Sequence, residues 1–205
     1  MKAIIFFVSL AIMWGGGQGV YTWFANMEQT EIACEEFLAN GSEKDWLKVT
    51  DCFIDNSAVV VTFDQKTGKI DETNAYYLPI KASESSQEVR AFLKINSKDQ
   101  RIIYSNIFRL QDNEEEFEAF FEEHPEQLEF AYKAEIRDLN GLRLFGIDSD
   151  DEDRKVLSQT AGGGDFTILD ENEKPDAMRS FVMLCAGLLI LVLLVVFSGK
   201  SDKEA

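Results

Sequence analysis

One imidazole and three thiols are the chain's strongest candidates for chemistry: His124, Cys34, Cys52 and Cys185. His124 closes a phenylalanine-rich segment just before Pro125 and is surrounded by glutamates. A histidine there serves as a polar or cationic helix end, and no serine or cysteine is placed by motif to be activated by it. None of the cysteines belongs to a C-x-x-C pair, so neither a zinc module nor a thioredoxin-like redox pair is indicated. Cys185 lies inside an apolar run. Cys34 and Cys52 form a disulfide in an oxidising compartment if the fold brings their Cα atoms to about 4.4–6.8 Å. Otherwise they are two buried thiols.

Other stretches imitate ligand sites without completing them. Asp148–Arg154, DSDDEDR, suggests a calcium loop, but the sixth position is Asp153 instead of glycine and the twelfth is Gln159 instead of glutamate. Carboxylates at the start of a helix account for it better. Ala161–Asp165, AGGGD, lacks the Gly-Lys-Ser/Thr ending of a phosphate loop and reads as a turn. Asn40-Gly41-Ser42 is a glycosylation sequon, relevant only on a luminal surface. No pair among the 37 acidic residues can be singled out as a hydrolytic dyad, because spacing in the fold defines one. The residues therefore nominate no catalytic, cofactor-binding or metal-binding group, and the expected cofactor is none.

The elements that must hold these residues begin at the two ends. Ser180–Gly199 is a 20-residue run without a charge, long enough as a helix to cross about 30 Å of hydrocarbon. Arg179 precedes it, and Lys200 and Lys203 follow, where basic side chains reach headgroups. Ala3–Ala25 is likewise uncharged. It fits a signal peptide, with Lys2 before an apolar stretch and small residues at Gly17 and Gly19 for cleavage. It also fits a retained span, with Tyr21 and Trp23 at the interface, and its spanning length favours retention. Gly15 and Gly19 then form a G-x-x-x-G pair that admits a close neighbour, and Ala186 and Gly187 leave matching room on the second span. Basic residues precede the first span and acidic ones follow it, which puts the N-terminus in the cytoplasm and the intervening domain outside it.

Residues 26–179 hold 35 acidic and 17 basic residues, a net charge of −18. Such a surface repels nucleic acid and anionic lipid. Sixteen phenylalanines point to a folded core and not an acidic disordered tail. Along the middle, a short helix is expected at 29–39, stopped by Asn40-Gly41. Strands follow over 46–54, 57–63 and 69–80, with DQKTG between the latter two as a turn and Pro79 at an edge or end. Residues 88–95 and 101–108 read as a strand pair turned by Ser97–Gln100, making an antiparallel meander of about five strands. Asn113 and Glu116 form a capping box for a helix that lines up Phe117, Phe120 and Phe121. Phe130, Tyr132, Ala134 and Ile136 alternate as a strand, and Asn140-Gly141 suits a hairpin. A helix at 151–159 and a strand at 165–169 complete the domain.

The expected architecture is α+β: a small, mostly antiparallel β domain with two or three short helices, flanked by N- and C-terminal transmembrane helices. Its segments are 3–25 (span or signal peptide), 28–170 (acidic domain), 171–179 (linker), 180–199 (span) and 200–205 (cytoplasmic tail). Two spans around a β-rich domain resemble organellar membrane-anchored ubiquitin ligases, but their Cys/His metal-binding domain is absent, and no residue carries over. The expected protein is an integral protein of the cell or inner membrane with both termini cytoplasmic. Its partners are the lipid bilayer and another membrane protein or a second copy, without nucleic acid. The expected role is a non-enzymatic interaction scaffold. An accessory subunit of a transport or secretion assembly and a membrane-bound hydrolase using carboxylates are the alternatives.

Overall fold

A computed structural model describes residues 2–62, 69–144 and 151–201. The DQKTG turn, residues 148–150 of the acidic stretch and residues 202–205 of the tail lie outside them. The chain divides into a helical unit, Met1–Glu28 with Lys174–Ala205, and a second unit, Gln29–Glu173. The fold is α+β, with a small barrel-like sheet and several helices.

The helical unit pairs α1 (Lys2–Ala25) with α7 (Ala177–Ser201). Ile5–Ala25 of α1 is long and apolar enough to cross a membrane; among the described residues the apolar run of α7, Ser180–Leu194, is shorter.

Among the described residues the second unit has seven strands: β1 (Thr30–Ala33), β2 (Trp46–Asp55), β3 (Val60–Thr62), β4 (Ala75–Lys81), β5 (Ala91–Lys94), β6 (Ala134–Leu144) and β7 (Thr167–Glu171). Their order is β1-β2-β6-β7-β5-β4-β3, and β2 also pairs with β4. That extra pairing, Phe53 with Lys81 and Ile54 with Ile80, closes β2, β6, β7, β5 and β4 into a five-stranded ring. The two parallel pairings, β1 with β2 and β5 with β7, correct the expected meander. Numbered along the chain, the ring runs first-second-third-fifth-fourth and closes on the first. Its major helical connection falls between the third and fourth strands. This is the connectivity of the five-stranded Greek-key OB barrel.

Helices fill the connections: α2 (Cys34–Asn40), α3 (Lys98–Leu110), α4 (Glu114–Glu123), α5 (Pro125–Ala131) and α6 (Asp151–Thr160). Several depart from the sequence expectation for local reasons. Residues 30–33 form a strand beside β2, so the first helix begins only at Cys34. Residues 101–108 belong to α3, not to a strand. Ser97 accepts a hydrogen bond from Gln100 N–H, which turns the supposed turn Ser97–Gln100 into the start of a helix. Tyr104 and Phe108 then fall on one face against Tyr76, Tyr104 stacked on it at a ring separation of 5.9 Å and Phe108 tilted at 6.4 Å. The alternation from Phe130 is interrupted as well, since α5 runs through Ala131 and β6 starts at Ala134. Asn113 caps α4 by accepting from Glu116 N–H.

Asn140-Gly141 makes no hairpin and lies within continuous β6. Glycine is required there for closeness: a Cβ on Gly141 would sit 2.9 Å from Leu169 Cγ and 3.0 Å from the Asp170 carbonyl carbon of β7. Pro79, expected at an edge, lies inside the sheet. On one side β4 pairs with β3 up to Tyr77 and with β2 from Ile80, so Pro79 falls in the gap between them.

Two apolar clusters result. The larger fills the ring, with Leu47, Val49, Cys52 and Ile54 of β2, Tyr76, Leu78 and Ile80 of β4, and Ala91 and Leu93 of β5. The smaller lies on the outer side of β4, β5 and β7, where Tyr77, Phe92 and Ile168 meet Leu157 of α6.

Candidate functional site

The helix pair is held by close backbone approach. A Cβ on Gly16 would meet Leu184 N at 2.5 Å and Leu184 Cα at 2.8 Å; on Gly19 it would meet Ser180 Cβ at 2.8 Å. On α7, a Cβ at Gly187 would fall 2.6 Å from Met13 Cγ and 3.1 Å from the Ser9 carbonyl. Ser9 is fully buried and its hydroxyl is satisfied by donating to the Phe6 carbonyl. Of the four packing residues nominated from sequence, Gly19 and Gly187 lie in this interface. Gly15 and Ala186 are exposed, and a Cβ on Gly15 would meet only Met183 Cε at an ordinary 3.8 Å. Gly16, which the G-x-x-x-G spacing passes over, makes the tightest approach to backbone. The outward surface is apolar: Phe7 is 68% exposed, Trp14 72%, Val182 62% and Leu189 61%.

In the second unit Cys34 and Cys52 form a disulfide with Cα atoms 5.2 Å apart. A bulge makes this meeting possible. Strict alternation along β2 puts Cys52 opposite in sense to Leu47 and Val49. Between Val49 and Cys52 the register against β6 shifts by one residue, and Asp51 takes a positive φ of 58°. The extra residue turns Cys52 inward, where it is fully buried beside Cys34. Cys185 is an exposed free thiol on α7. A second staple joins Arg143 to the loop after α2. Its Nε and Nη2 donate to Asp45 Oδ1 at 3.1 and 2.8 Å, and Nη1 donates to the Ser42 carbonyl.

The outer face of β4 and β5, which OB barrels use with their neighbouring loops to hold oligomers, is covered here by the chain itself. Tyr77 and Phe92 point outward as stacking platforms would, yet they are 2% and 0% exposed. Leu157 packs on them, Phe166 meets Phe92 edge-on at 5.4 Å, and Tyr77 Oη donates to Asp153 Oδ2 at 2.9 Å. Beside this face are two shallow hollows of about 200 and 270 Å³, with Arg90 on the wall of both.

Tyr104 is wholly buried, and burial pushes its hydroxyl well above the usual tyrosine range. Burial likewise raises the Glu171 carboxyl, against the opposing pull of Arg137. Nearby, Asn96 donates to Asp170 and to the Glu171 carbonyl, and Lys94 lies 3.7 Å from Asp170. No sequence motif marks these residues.

His124 caps the end of α4 and the start of α5, with its ring 4.7 Å from Phe120 and Nδ1 3.8 Å from Glu126. Among the described residues, no three His, Cys, Asp or Glu side chains converge to hold a metal ion. Gly162 and Gly163 take positive φ and end α6, Gly163 N–H donating to the Ser158 carbonyl. Asn40 is exposed at the end of α2. Comparison with known proteins finds no matching family model, no similar curated protein and no similar solved structure. The OB likeness therefore rests on strand order alone, and strand order carries no function.

Proposed function

We propose that the chain is a membrane-anchored, non-enzymatic interaction protein that displays an acidic, disulfide-stapled barrel outside the cytoplasm. The observation that carries this reading is the inverted build of the helix pair. Small residues and backbone face inward, while Phe7, Trp14, Val182 and Leu189 face outward. That arrangement suits lipid, where backbone approach drives association and large apolar side chains meet acyl chains. On this reading both α1 and α7 are spans, and the apolar sequence of α7 continues through Phe197. The buried disulfide supports an oxidising compartment for the barrel. A binding role other than oligomer capture is supported by α6 filling the β4–β5 face, and by a net charge of −17 over the chain. With Gly19 and Gly187 engaged inside the chain, another membrane protein would meet the outward helix faces or the acidic barrel surface.

Protease protection tests it, performed on sealed vesicles of both orientations and followed by mass measurement of the N-terminus. The barrel should be digested only from the extracytoplasmic side, with the N-terminus starting at the initiator region and Cys34–Cys52 oxidised. A chain recovered from the supernatant without detergent, or one whose N-terminus begins near Gly17–Gly19, would end the two-span reading.

A further inference from the structure

The two hollows on the second unit adjoin, because Leu38 of α2 and Arg90, just before β5, line both. At about 200 and 270 Å³, each is smaller than the roughly 300–1,000 Å³ of a small-molecule pocket. That size suits the side-chain anchors of a protein interface. The walls are held before any partner arrives. Phe37 is 3% exposed in the core, and the disulfide ties the start of α2 to β2. Phe166 is braced edge-on against Phe92, and Thr167 N–H donates to the Arg90 carbonyl at 3.0 Å. A groove fixed in this way loses little further freedom on binding.

Charge selects the occupant. Among the described residues the walls carry Glu35, Glu88 and Asp165 against Arg90. Arg90 Nε already donates to Glu88 Oε1 at 2.8 Å. Glu35 and Asp165 are exposed and make no ion pair among the described residues. A second copy of this chain brings the same excess of carboxylates and is repelled. We propose that this groove binds a segment of another protein in which lysine or arginine flanks apolar side chains. The apolar groups seat in the two hollows on either side of Leu38, and the cations face Glu35 and Asp165. The proposal deepens the interaction role proposed for the barrel and rests on it, but not on the side of the membrane that the barrel occupies.

The test is amide NMR of the full chain in a non-ionic detergent, titrated with the acetylated and amidated peptide Lys-Leu-Lys-Leu-Lys. Saturable shifts centred on Leu38, Arg90 and Thr167 are expected. The Glu35→Lys, Asp165→Lys double variant changes only exposed side chains. It should bind that peptide about tenfold more weakly and should bind Glu-Leu-Glu-Leu-Glu more tightly than the parent does, a gain that misfolding does not produce. Absence of saturable binding, equal shifts with Lys-Ser-Lys-Ser-Lys, or affinity unchanged in the double variant overturns the proposal. Shifts centred on Glu114–Glu123 of α4 overturn it as well, since they report general attraction to carboxylates. Binding in the groove by a barrel that protease protection places in the cytoplasm upholds the groove and ends the membrane reading alone.

Discussion

Reducing the Cys34–Cys52 bond tests how the barrel is secured. The two cysteines are 18 residues apart in sequence. Closing a loop of that length removes about 11 cal/mol/K of entropy from the unfolded chain, or about 3 kcal/mol at 25 °C. Reduction leaves both sulfurs in place and buried, so little packing is lost and the loop term dominates. A stability of about 5–15 kcal/mol is usual for a domain, so the loss is a substantial share of the whole. With a urea dependence of about 2 kcal/mol/M, the midpoint should fall by about 1.5 M. Pulse proteolysis of the full chain in detergent, with and without a phosphine reductant, reads that midpoint without interference from Trp14 and Trp23 in the helix pair. Thiol titration of the same samples confirms the redox state. A shift below about 0.3 M with both thiols demonstrably free would refute the loop argument. With Cys185 free in either case, three free thiols instead of one in the chain purified without reductant would refute the pairing itself.

Three further perturbations have defined signs. Gly16→Leu should drive a side chain into the Leu184 backbone and lower the thermal aggregation temperature in detergent. Gly15→Leu and Gly17→Leu, with ordinary contact and open space respectively, should not; light scattering on heating compares them. Asp51→Gly should stabilise the barrel by about 0.5–1 kcal/mol by relieving a positive φ. Asp51→Val should destabilise it, because a β-branched residue resists that conformation; urea midpoints check both. Glu171→Gln should raise stability at neutral pH. Burial raises the folded carboxyl's pKa above its unfolded value, so the parent's advantage is complete below the unfolded pKa and is lost as pH rises through the folded one. The variant's gain should therefore vanish in acid, and a gain that grew on acidification would contradict the sign.

Local signals carried much of the fold. The Asn113 cap and the acidic first turn of α6 each needed only a few neighbouring residues, and both helices formed where those residues placed them, although Asn113 N–H donates to the Leu110 carbonyl and not to Glu116 as a full capping box requires. The apolar length of α1 was legible for the same reason. Residues 101–108, RIIYSNIF, with three isoleucines, a tyrosine and a phenylalanine, carry a strand composition. The Ser97 cap and burial of Tyr104 against Tyr76 overrode it, and the latter contact spans 28 residues of sequence. Ring closure depends on two residue pairs between β2 and β4, a long-range event that no window of sequence contains.

The candidate site was legible to the same depth. Residue types pointed to Cys34 and Cys52, but simple alternation along β2 turned Cys52 away from Val49, and only the bulge at Asp51 brings the two to one side. A left-handed aspartate is a poor sequence signal, since aspartate tolerates that conformation without announcing it. The choice between Gly15 and Gly16 fails for a related reason. Adjacent helix positions differ by about 100° around the axis, so a run of three glycines marks a place of close approach while leaving its direction to the partner helix. Both cases have one geometric origin: a one-residue step reverses a strand face and swings a helix face by a quarter turn or more. Sequence patterns locate the element, and the contact on the other side decides which of two neighbouring residues does the work.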